Sequence, residues 1–319
     1  MKTICYYGQN WAGNVGNAFI DYSIKYCLKT VLEGKEYVIY EASNMPANLK
    51  FNFGERKPFK WFCRETSKFD LRQHIKPDYV VLGGSLFDVF WTRMHASFLN
   101  WLIERKIRVI ILGGGGGNHY SQEEVSYVRN VWKQINVIGY IARDYRAYEN
   151  FKDLFPNHYA GIDNAFFLAD FFKPAKLNIE NLGAKAFDLT FDREVEFPKD
   201  YTVVTLRHRV QDVDSFKFFC KHGIKTWTIG AETDVMSDCP EDYLHIYGNS
   251  KITHSDRVHA CVSTLSFGGK AQYYDKSDRS YLFERIGLGN INKELVQLDQ
   301  KYIQEEKSKQ LTFLKELID

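Results

Sequence analysis

An arginine and a histidine two residues apart open a predicted helix late in the chain, in the segment THSDRVHACVSTLSFGG (253–269). Its apolar residues recur at the i, i+3, i+4 and i+7 positions of a half-buried helix: Val258, Cys261, Val262 and Leu265. Arg257 and His259 lie in the first turn, where free amide groups and the helix dipole favour an anion. The pair indicates an anion site. An exposed arginine beside a histidine that is bonded to a backbone carbonyl would give the same pattern.

A second basic cluster ends a predicted strand in the same half, YTVVTLRHR (201–209). Alternation along the strand puts Arg207 and Arg209 on one face and His208 on the other. Two arginines at a strand end can bind a carboxylate or a phosphate. A solvated strand end paired with acidic neighbours is the alternative. Together with Arg257, the cluster indicates a ligand with several negative charges.

The first half carries loops rich in glycine and short polar residues after its predicted strands. They include GQNWAGNVGNAF (8–19), GGSLFD (83–88) and GGGGGNHYS (113–121). Ligands of open α/β sheets bind beyond the carboxyl ends of the strands. The candidate ligand contacts there are Asn14, Gly16, Asn17, Gly84, Ser85, Gly115, Arg143 and Asp144. A tight turn with an asparagine helix cap would also explain the first loop, and Arg143 and Asp144 would equally suit a structural ion pair. No loop matches a Walker A or dinucleotide motif, and the five glycines require a close neighbour, either another part of the fold or a substrate.

The elements that must position these loops are short apolar strands that alternate with amphipathic helices. In the first half, strands are predicted at 3–8, 37–42, 78–84, 108–115 and 136–144. In the second half they are predicted at 201–209, 225–230, 242–248 and 270–275. Several are apolar on both faces, as in parallel strands covered by helices on two sides. The pattern predicts an α/β chain with two Rossmann-like domains facing a cleft.

The domain boundaries and helix ends follow from the same pattern. We assign 1–170 to the first domain, with an insertion at about 46–76, and 171–300 to the second. A final helix at 301–319 is expected to pack back on the first domain.

Helix caps can also be read from the sequence. Ser121 and Glu124 form a predicted capping box. Ser255 or Asp256 is expected to cap the helix that carries His259, and Gly268-Gly269 to end it.

Composition excludes several classes of protein. The 319 residues carry a net charge of +2, which gives no support to a nucleic-acid partner. The chain begins directly with a strand-like run and has no apolar stretch of about 18 residues, so we expect no signal peptide and no membrane helix. The six cysteines form no C-x-x-C pair, which argues against a zinc ribbon or a disulfide framework. A cytoplasmic protein is expected.

The order of the motifs resembles that of the polysaccharide pyruvyl transferases. It reads NVGNAF, GGSLF, LGGGGG, ARDYRAYENF, GIDNAFFL and SDRVHACVSTLSFGGKAQYY, over roughly residues 5–290. The R-x-H helix is the most specific element of this resemblance. The family's G-x-P turn is replaced here by Gly268-Gly269-Lys270, and residues 46–76 and 175–200 match nothing in the pattern.

This resemblance implies a GT-B-like glycosyltransferase architecture and a reaction. Phosphoenolpyruvate would be the donor and a sugar with two nearby hydroxyls the acceptor. The product would be a pyruvate ketal on a cell-surface polysaccharide or its precursor, with phosphate released and no metal or redox cofactor. The acceptor would be a lipid-linked or nucleotide-linked glycan at the inner membrane face, with at most peripheral membrane association.

The resemblance also implies roles for the residues. Arg207, His208, Arg209 and Arg257 would bind the donor, and His259 would donate a proton to it. The asparagine/glycine loop and its neighbours in the first domain would bind the acceptor. Four residues are candidate bases for the attacking hydroxyl, and the sequence does not choose among them: Asp21, Asp88, Asp144 and His119. A nucleotide-sugar glycosyltransferase and a non-catalytic glycan-binding protein of the same fold are the alternatives.

Overall fold

The structure of the protein is a computed structural model. It describes residues 1–9, 14–43, 75–116, 120–175, 201–206, 228–229, 239–275 and 277–318. The chain divides into two units. The first comprises Met1–Asn164 with Glu306–Asp319, and the second comprises Ala165–Glu305. Most of the insertion predicted at 46–76 lies outside the described residues.

The first unit is built on a six-stranded sheet whose strands are all parallel. The strands are β1 (Lys2–Gly8), β2 (Tyr37–Ser43), β3 (Tyr79–Phe87), β4 (Arg108–Gly116), β5 (Val137–Ala142) and β6 (His158–Ala160). Their order is β2-β1-β3-β4-β5-β6, so the order reverses between β1 and β3. At such a switch point the two connections leave toward opposite faces and open a crevice at the carboxyl edge. The strands predicted for the first half are confirmed.

Helices cover both faces of this sheet. They are α1 (Gly16–Val31), α2 (Val89–Met94), α3 (Ala96–Arg105), α4 (Gln122–Trp132) and α5 (Tyr145–Phe151). One hydrophobic core lies under α2 to α5, where Phe87 stacks on Phe151 with ring centroids 4.4 Å apart. The predicted capping box of α4 is confirmed, since Ser121 and Glu124 bond to each other's backbone amides.

The second unit repeats the same winding in a five-stranded sheet. Its strands are β7 (Thr202–Thr205), β8 (Thr228–Ile229), β9 (Ile252–Ser255), β10 (Lys270–Tyr273) and β11 (Val296–Gln297). The order is β8-β7-β9-β10-β11, and only the edge strand β11 is antiparallel. Its switch point therefore lies between β7 and β9. Its described α-helices are α6 (Leu168–Phe171), α7 (Pro240–Asn249), α8 (Val258–Ser266) and α9 (Tyr281–Glu284).

The strand predicted at 242–248 is wrong, because this segment lies in helix α7. Pro240 stands in the first turn of α7, where its missing N–H costs nothing. Tyr243, Leu244 and Tyr247 are buried at helical spacing. A short run rich in aromatic residues fits a strand and a buried helix equally well. The true strand, β9, follows α7.

The predicted caps of α8 are wrong at its start and right at its end. Arg257 is in the N-cap position and makes no side-chain cap bond, because β9 runs through Ser255. At the other end, Gly268 has a φ of 90°. The amides of Gly268 and Gly269 donate to Leu265 O at 3.1 Å and Thr264 O at 2.9 Å, as in a Schellman turn.

The last helix, α10 (Gln300–Ile318), belongs to the first unit from Glu306 onward. There the ring of Phe313 stacks on Tyr159, with centroids 5.5 Å apart. The buried amide of Gln310 accepts a hydrogen bond from Ile162 N (2.8 Å) and donates one to Asn164 Oδ1 (3.0 Å). Within the described ranges, no helix combines the length and apolar character needed to cross a membrane.

Replacement of Gln310 by leucine should destabilise the first unit by about 3 kcal/mol. The change leaves two buried polar groups without this partner, the Ile162 amide and the Asn164 carbonyl, and each such group costs about 1–3 kcal/mol. Urea unfolding followed by tryptophan fluorescence measures it, since Trp91, Trp101 and Trp132 lie in this unit. The control is the same substitution at the exposed Gln304 of α10. Equal losses in the two variants would contradict the role given to Gln310.

Candidate active site

In the second unit, Arg257 and His259 lie at the carboxyl end of the central strand. β9 is paired on both sides, and Ser255 is level with Thr205 of β7 and Tyr273 of β10. All residues of α8 are buried, and His259 is 8% exposed, whereas Arg257 is half-buried. The basic pair thus stands beside the switch point of this sheet, at the edge where ligands of parallel sheets bind.

Hydrogen bonds to β7 fix the turn that carries Arg257. Ser255 Oγ donates to Thr205 O at 2.9 Å and accepts from Arg257 N at 2.9 Å. The amide of Asp256 donates to Thr205 O at 3.2 Å. Within α8, Ser263 Oγ donates to His259 O at 2.7 Å. The backbone around the pair is therefore held before any ligand arrives.

The other predicted donor residues, Arg207, His208 and Arg209, lie outside the described residues. In the sequence, however, Arg207 follows Thr205 by two positions, as Arg257 follows Ser255. Sequence analysis missed a further arginine, Arg279, which is half-buried in a 3₁₀ turn (Asp278–Ser280) after β10. Burial raises the pKa of the Tyr273 hydroxyl, and the charge of Arg279 acts against that rise. The sequence signal that could have found Arg279 is its position shortly after strand β10, which is parallel to β9.

In the first unit, a buried carboxyl group lies at the switch point between β1 and β3. Asp21, on α1, is 5% exposed, and its Oδ1 accepts hydrogen bonds from the Tyr6 hydroxyl and from Gln9 N, the latter at 2.9 Å. The Gln9 side chain donates to Gly83 O at 2.9 Å, which joins the end of β1 to β3. Gly84, with a φ of 82°, lies against Gln9.

The predicted residues of the first two loops make local contacts. Asn14 Oδ1 accepts from Gly16 N at 3.2 Å, and its amide is 3.4 Å from Asn17 Oδ1, so the loop turns into α1 through Asn14. On β3, Ser85 Oγ donates to Gly116 O at 2.5 Å and ties β3 to β4. The structure thus gathers Asn14, Gly16 and Asn17 at the start of α1.

The glycine run of β4 is packed against other parts of the fold. A Cβ on Gly113, whose φ is 69°, would be 2.3 Å from Asn164 Nδ2. A Cβ on Gly115 would be 2.3 Å from Arg143 Nε. For these glycines the close neighbour is therefore the protein itself.

Arg143 and Asp144 follow β5 and make structural bonds. Arg143 Nη1 is 3.1 Å from Asp163 Oδ2, and both side chains are almost fully buried. Asp144 Oδ1 accepts from Ala147 N at 2.6 Å and caps α5. Asp88 caps α2 in the same way, through Trp91 N at 2.6 Å.

Comparison with known proteins identifies the family. The model of the polysaccharide pyruvyl transferase family matches residues 14–271, most of the chain. The protein belongs to this family. No protein of curated function matches the sequence. Because the matched region contains the asparagine/glycine loop, the glycine run and the R-x-H helix, the resemblance stated from these motifs is confirmed.

Similar solved structures show the fold of this chain. It is similar to UDP-GlcNAc 2-epimerase from Neisseria meningitidis bound to UDP-GlcNAc, with 12% identity, a TM-score of 0.52, and coverage of 99% of this chain and 93% of the other. It is also similar to UDP-N-acetylglucosamine 2-epimerase from Rickettsia bellii, with 11% identity, a TM-score of 0.50 and coverage of 100% and 96%. These likenesses confirm the α/β, GT-B-like fold with two Rossmann-like halves.

Two carboxyl groups of the first unit have raised pKa values. Burial raises the pKa of Asp21 to about 7, although hydrogen bonds from Tyr6 and Gln9 act against this rise. Burial likewise raises the pKa of Asp144 to about 6, against its bond to Ala147 and the charge of Arg143. Buried carboxyl groups that titrate near neutral pH are candidates for proton transfer. The fourth candidate base, His119, lies outside the described residues.

The variant Asp21→Asn should become more stable than the wild type as pH rises. Below about pH 4 the carboxyl is protonated in both the folded and the unfolded wild type. Between pH 4 and pH 7 the unfolded chain loses this proton while the folded chain keeps it, so wild-type stability falls with increasing pH. Asparagine does not ionise, and its side-chain oxygen can still accept from Tyr6 and Gln9. The free energy of unfolding of the variant, relative to wild type, should rise by about 4 kcal/mol between pH 4 and pH 8.

Urea unfolding at a series of pH values measures this difference. The control, Asp153→Asn, should show a nearly constant difference from pH 4 to pH 8 and a change of opposite sign only below about pH 4, because a hydrogen bond from Arg129 lowers the pKa of Asp153. That contribution is present above the unfolded pKa and is lost as pH falls. If the free energy of unfolding of Asp21→Asn relative to wild type stays constant from pH 4 to pH 8, the pKa of the Asp21 carboxyl is not raised.

Proposed function

We propose that the protein transfers a pyruvyl group from phosphoenolpyruvate to a sugar with two nearby hydroxyls, on a cell-surface polysaccharide or its precursor. The observation that carries the proposal is the Arg257–His259 turn at the switch point of the second sheet, in a chain of the polysaccharide pyruvyl transferase family. A fixed cation and a nearby imidazole suit a small anionic donor that must gain a proton.

The donor carries a carboxylate and a phosphate, and the second unit offers arginines for both. Arg257 and the first amides of α8 would bind one anionic group. Arg279, which follows the neighbouring strand β10, would contribute further positive charge. Arg207, His208 and Arg209 complete the proposed donor site through their place in the sequence after β7. Neutralising the donor's charge makes its C2 atom easier to attack.

An addition and then a displacement at C2 give the ketal. His259 donates a proton to C3 while the first sugar oxygen attacks C2 and gives up its own proton to a base. The second hydroxyl then forms its bond to C2 as the phosphate leaves with the electrons of the C–O bond. Of the two hydroxyl protons, one replaces the proton given by His259 and the other leaves with phosphate. Donor and acceptor exchange no electrons with a third reactant, so the scheme needs no redox cofactor, and the arginines supply the positive charge that a metal could otherwise provide.

The acceptor would bind at the switch point of the first unit. Asn14, Asn17 and Ser85 offer short hydrogen-bonding side chains there, and Gly16 and Gly84 allow close approach to the backbone. Gly115, Arg143 and Asp144 would support this site from β4 and β5. We place the reaction in the cytoplasm, on a lipid-linked or nucleotide-linked glycan at the inner membrane face, because phosphoenolpyruvate is made in the cytoplasm.

Phosphoenolpyruvate should raise the thermal stability of the wild type but not of Arg257→Gln. A ligand at 100 times its Kd adds about 2.7 kcal/mol to the free energy of unfolding, and removal of the arginine removes a charged partner. His259→Asn should keep this stabilisation and lose turnover, because asparagine cannot donate the proton that C3 needs. Thermal unfolding with millimolar phosphoenolpyruvate measures binding, and phosphate release in the presence of sugar acceptors measures turnover.

The control variant is Arg105→Gln, an exposed arginine in the last turn of α3, which should respond to phosphoenolpyruvate as the wild type does. Stabilisation of the wild type by UDP and not by phosphoenolpyruvate would instead favour a nucleotide-sugar glycosyltransferase. Binding of a glycan without turnover of any donor would favour a non-catalytic glycan-binding protein.

A further inference from the structure

The turn after β10 brings a second arginine to the edge of the second sheet that carries Arg257. Strands β9 and β10 are parallel, and Tyr273 is level with Ser255. One residue further on, Tyr274 N donates to Ser255 O at 2.9 Å, so the two strands end side by side. Arg257 follows the end of β9 by two residues, and Arg279 follows the end of β10 by six. Both arginines therefore belong to loops at one edge of one sheet, within one unit.

The hydroxyl of Tyr273 organises the turn that carries Arg279. It lies 3.4 Å from Ser277 Oγ and donates to Asp275 Oδ2 at 3.3 Å. Ser277 is the N-cap of the 3₁₀ turn, and its carbonyl accepts hydrogen bonds from the amide and the hydroxyl of Ser280, each at 3.0 Å. The backbone on both sides of Arg279 is therefore fixed by the protein itself.

Tyr273 also connects this turn to helix α8. Its buried side chain points to the face of the sheet that α8 covers, because Thr253 Oγ1 on that face is 2.6 Å from Thr264 Oγ1 of α8. The Tyr273 hydroxyl lies within electrostatic reach of both Arg279 and Cys261, the fourth residue of α8. The turn of Arg279 and the start of α8 thus share one face of the sheet as well as one edge.

The proposed donor has two anionic groups on one carbon atom. Its phosphate carries a charge of about −1.5 to −2 at pH 7, and its carboxylate is fully ionised. A planar guanidinium can bind one such group through two parallel hydrogen bonds, but it cannot do so for two groups at once. Two arginines on neighbouring loops of one sheet edge match this pair of groups.

We infer that Arg257 and Arg279 bind the two different anionic groups of the donor, one guanidinium to each group. The inference rests on the proposed function and makes Arg279 a donor-binding residue. It involves non-covalent contacts alone, so neither arginine exchanges a proton or forms a bond in the reaction. In the alternative arrangement, Arg279 serves an ion pair with Asp275 or Asp278 of its own loop and does not contact the donor.

The variant Arg279→Gln should raise the Kd of phosphoenolpyruvate at least 10-fold, because the loss of a hydrogen-bonded charged partner typically costs that much affinity. Arg279→Lys keeps the charge but loses the two-pronged contact, so its Kd should lie between those of the wild type and Arg279→Gln. Thermal unfolding over a series of phosphoenolpyruvate concentrations gives the Kd of each protein. The matched control is Lys270→Gln, which removes one positive charge from the exposed start of β10, at the opposite edge of the sheet. Its Kd should equal that of the wild type.

Two fragments of the donor distinguish the two arginines. Inorganic phosphate carries one anionic group and pyruvate carries the other, and each is added at up to 50 times the Kd of phosphoenolpyruvate with the ionic strength held constant by sodium chloride. Arg257→Gln and Arg279→Gln should lose opposite responses, so that the variant no longer stabilised by phosphate is still stabilised by pyruvate, and the other variant shows the reverse. Loss of the same response in both variants, or a wild type that responds to neither fragment, overturns the assignment of one group to each arginine.

The outcomes separate the inference from the proposed function. A raised Kd in Arg279→Gln, an intermediate one in Arg279→Lys and opposite fragment responses support the inference. A wild type that binds and turns over phosphoenolpyruvate, with an unchanged Kd in either Arg279 variant, overturns the inference and leaves the proposed function standing. A lower melting temperature without ligand, together with an unchanged Kd, would assign Arg279 to an ion pair of its own loop. If Arg279→Gln does not fold, Arg279→Lys decides. A wild type that neither binds nor turns over phosphoenolpyruvate overturns both.

Discussion

The strand order of the two sheets is the constraint on which the rest of the structure depends. In each unit the second strand lies on one side of the first strand, and the third strand lies on its other side. The loops after β1 and β3, and those after β7 and β9, therefore leave toward opposite faces and cannot fill the gap between them. Buried or half-buried polar side chains lie at these two gaps. Asp21 and Gln9 are at the first, and Arg257 and His259 are at the second.

Close packing of the backbone holds the edges of these gaps. In the first unit the glycines of β4 let Asn164 and Arg143 lie directly on the strand, where any Cβ would collide with them. Asn164 also donates to Leu112 O at 2.8 Å and is held by Gln310 from the last helix. The family motifs LGGGGG, ARD and GIDNA thus meet in one buried network. A sequence motif that looks suited to ligand binding can be required first by packing.

Much of the fold follows from local signals, and the parts that do not are those that depend on distant partners. Strands β1, β3 and β4 could be predicted because each is a short apolar run that ends at a glycine-containing segment. The capping box of α4 needs only Ser121 and Glu124, three residues apart. The sequence of residues 242–248 predicts a strand where the structure has helix α7. The burial of its aromatic residues, not their order, decides its conformation. The contact of Gln310 with Asn164 joins residues 146 positions apart, so no local pattern reports it.

Some residues of the candidate site could likewise be predicted from the sequence, and others could not. The R-x-H turn could be found from spacing alone, because both residues belong to one helix start. The surroundings of the candidate bases could not be predicted, since they depend on which carboxylates cap helices and which are buried. Asp88 and Asp144 precede helices and look like caps in the sequence, but Asp21 lies inside a helix, where an aspartate usually faces solvent. Only the three-dimensional structure shows that it is buried against Tyr6 and Gln9.

The position of Asp21 has a consequence for the stability of the protein. A buried carboxyl with a pKa of about 7 is a compromise between burial, which favours the neutral form, and two hydrogen-bond donors, which favour the anion. Stronger donors would make the group more fully ionised at neutral pH but a weaker base. Deeper burial would make it a stronger base but leave it mostly protonated and reduce stability at high pH. Burial thus holds the pKa of Asp21 near neutral against the Tyr6 hydroxyl and the Gln9 amide, at a cost in folding free energy at high pH.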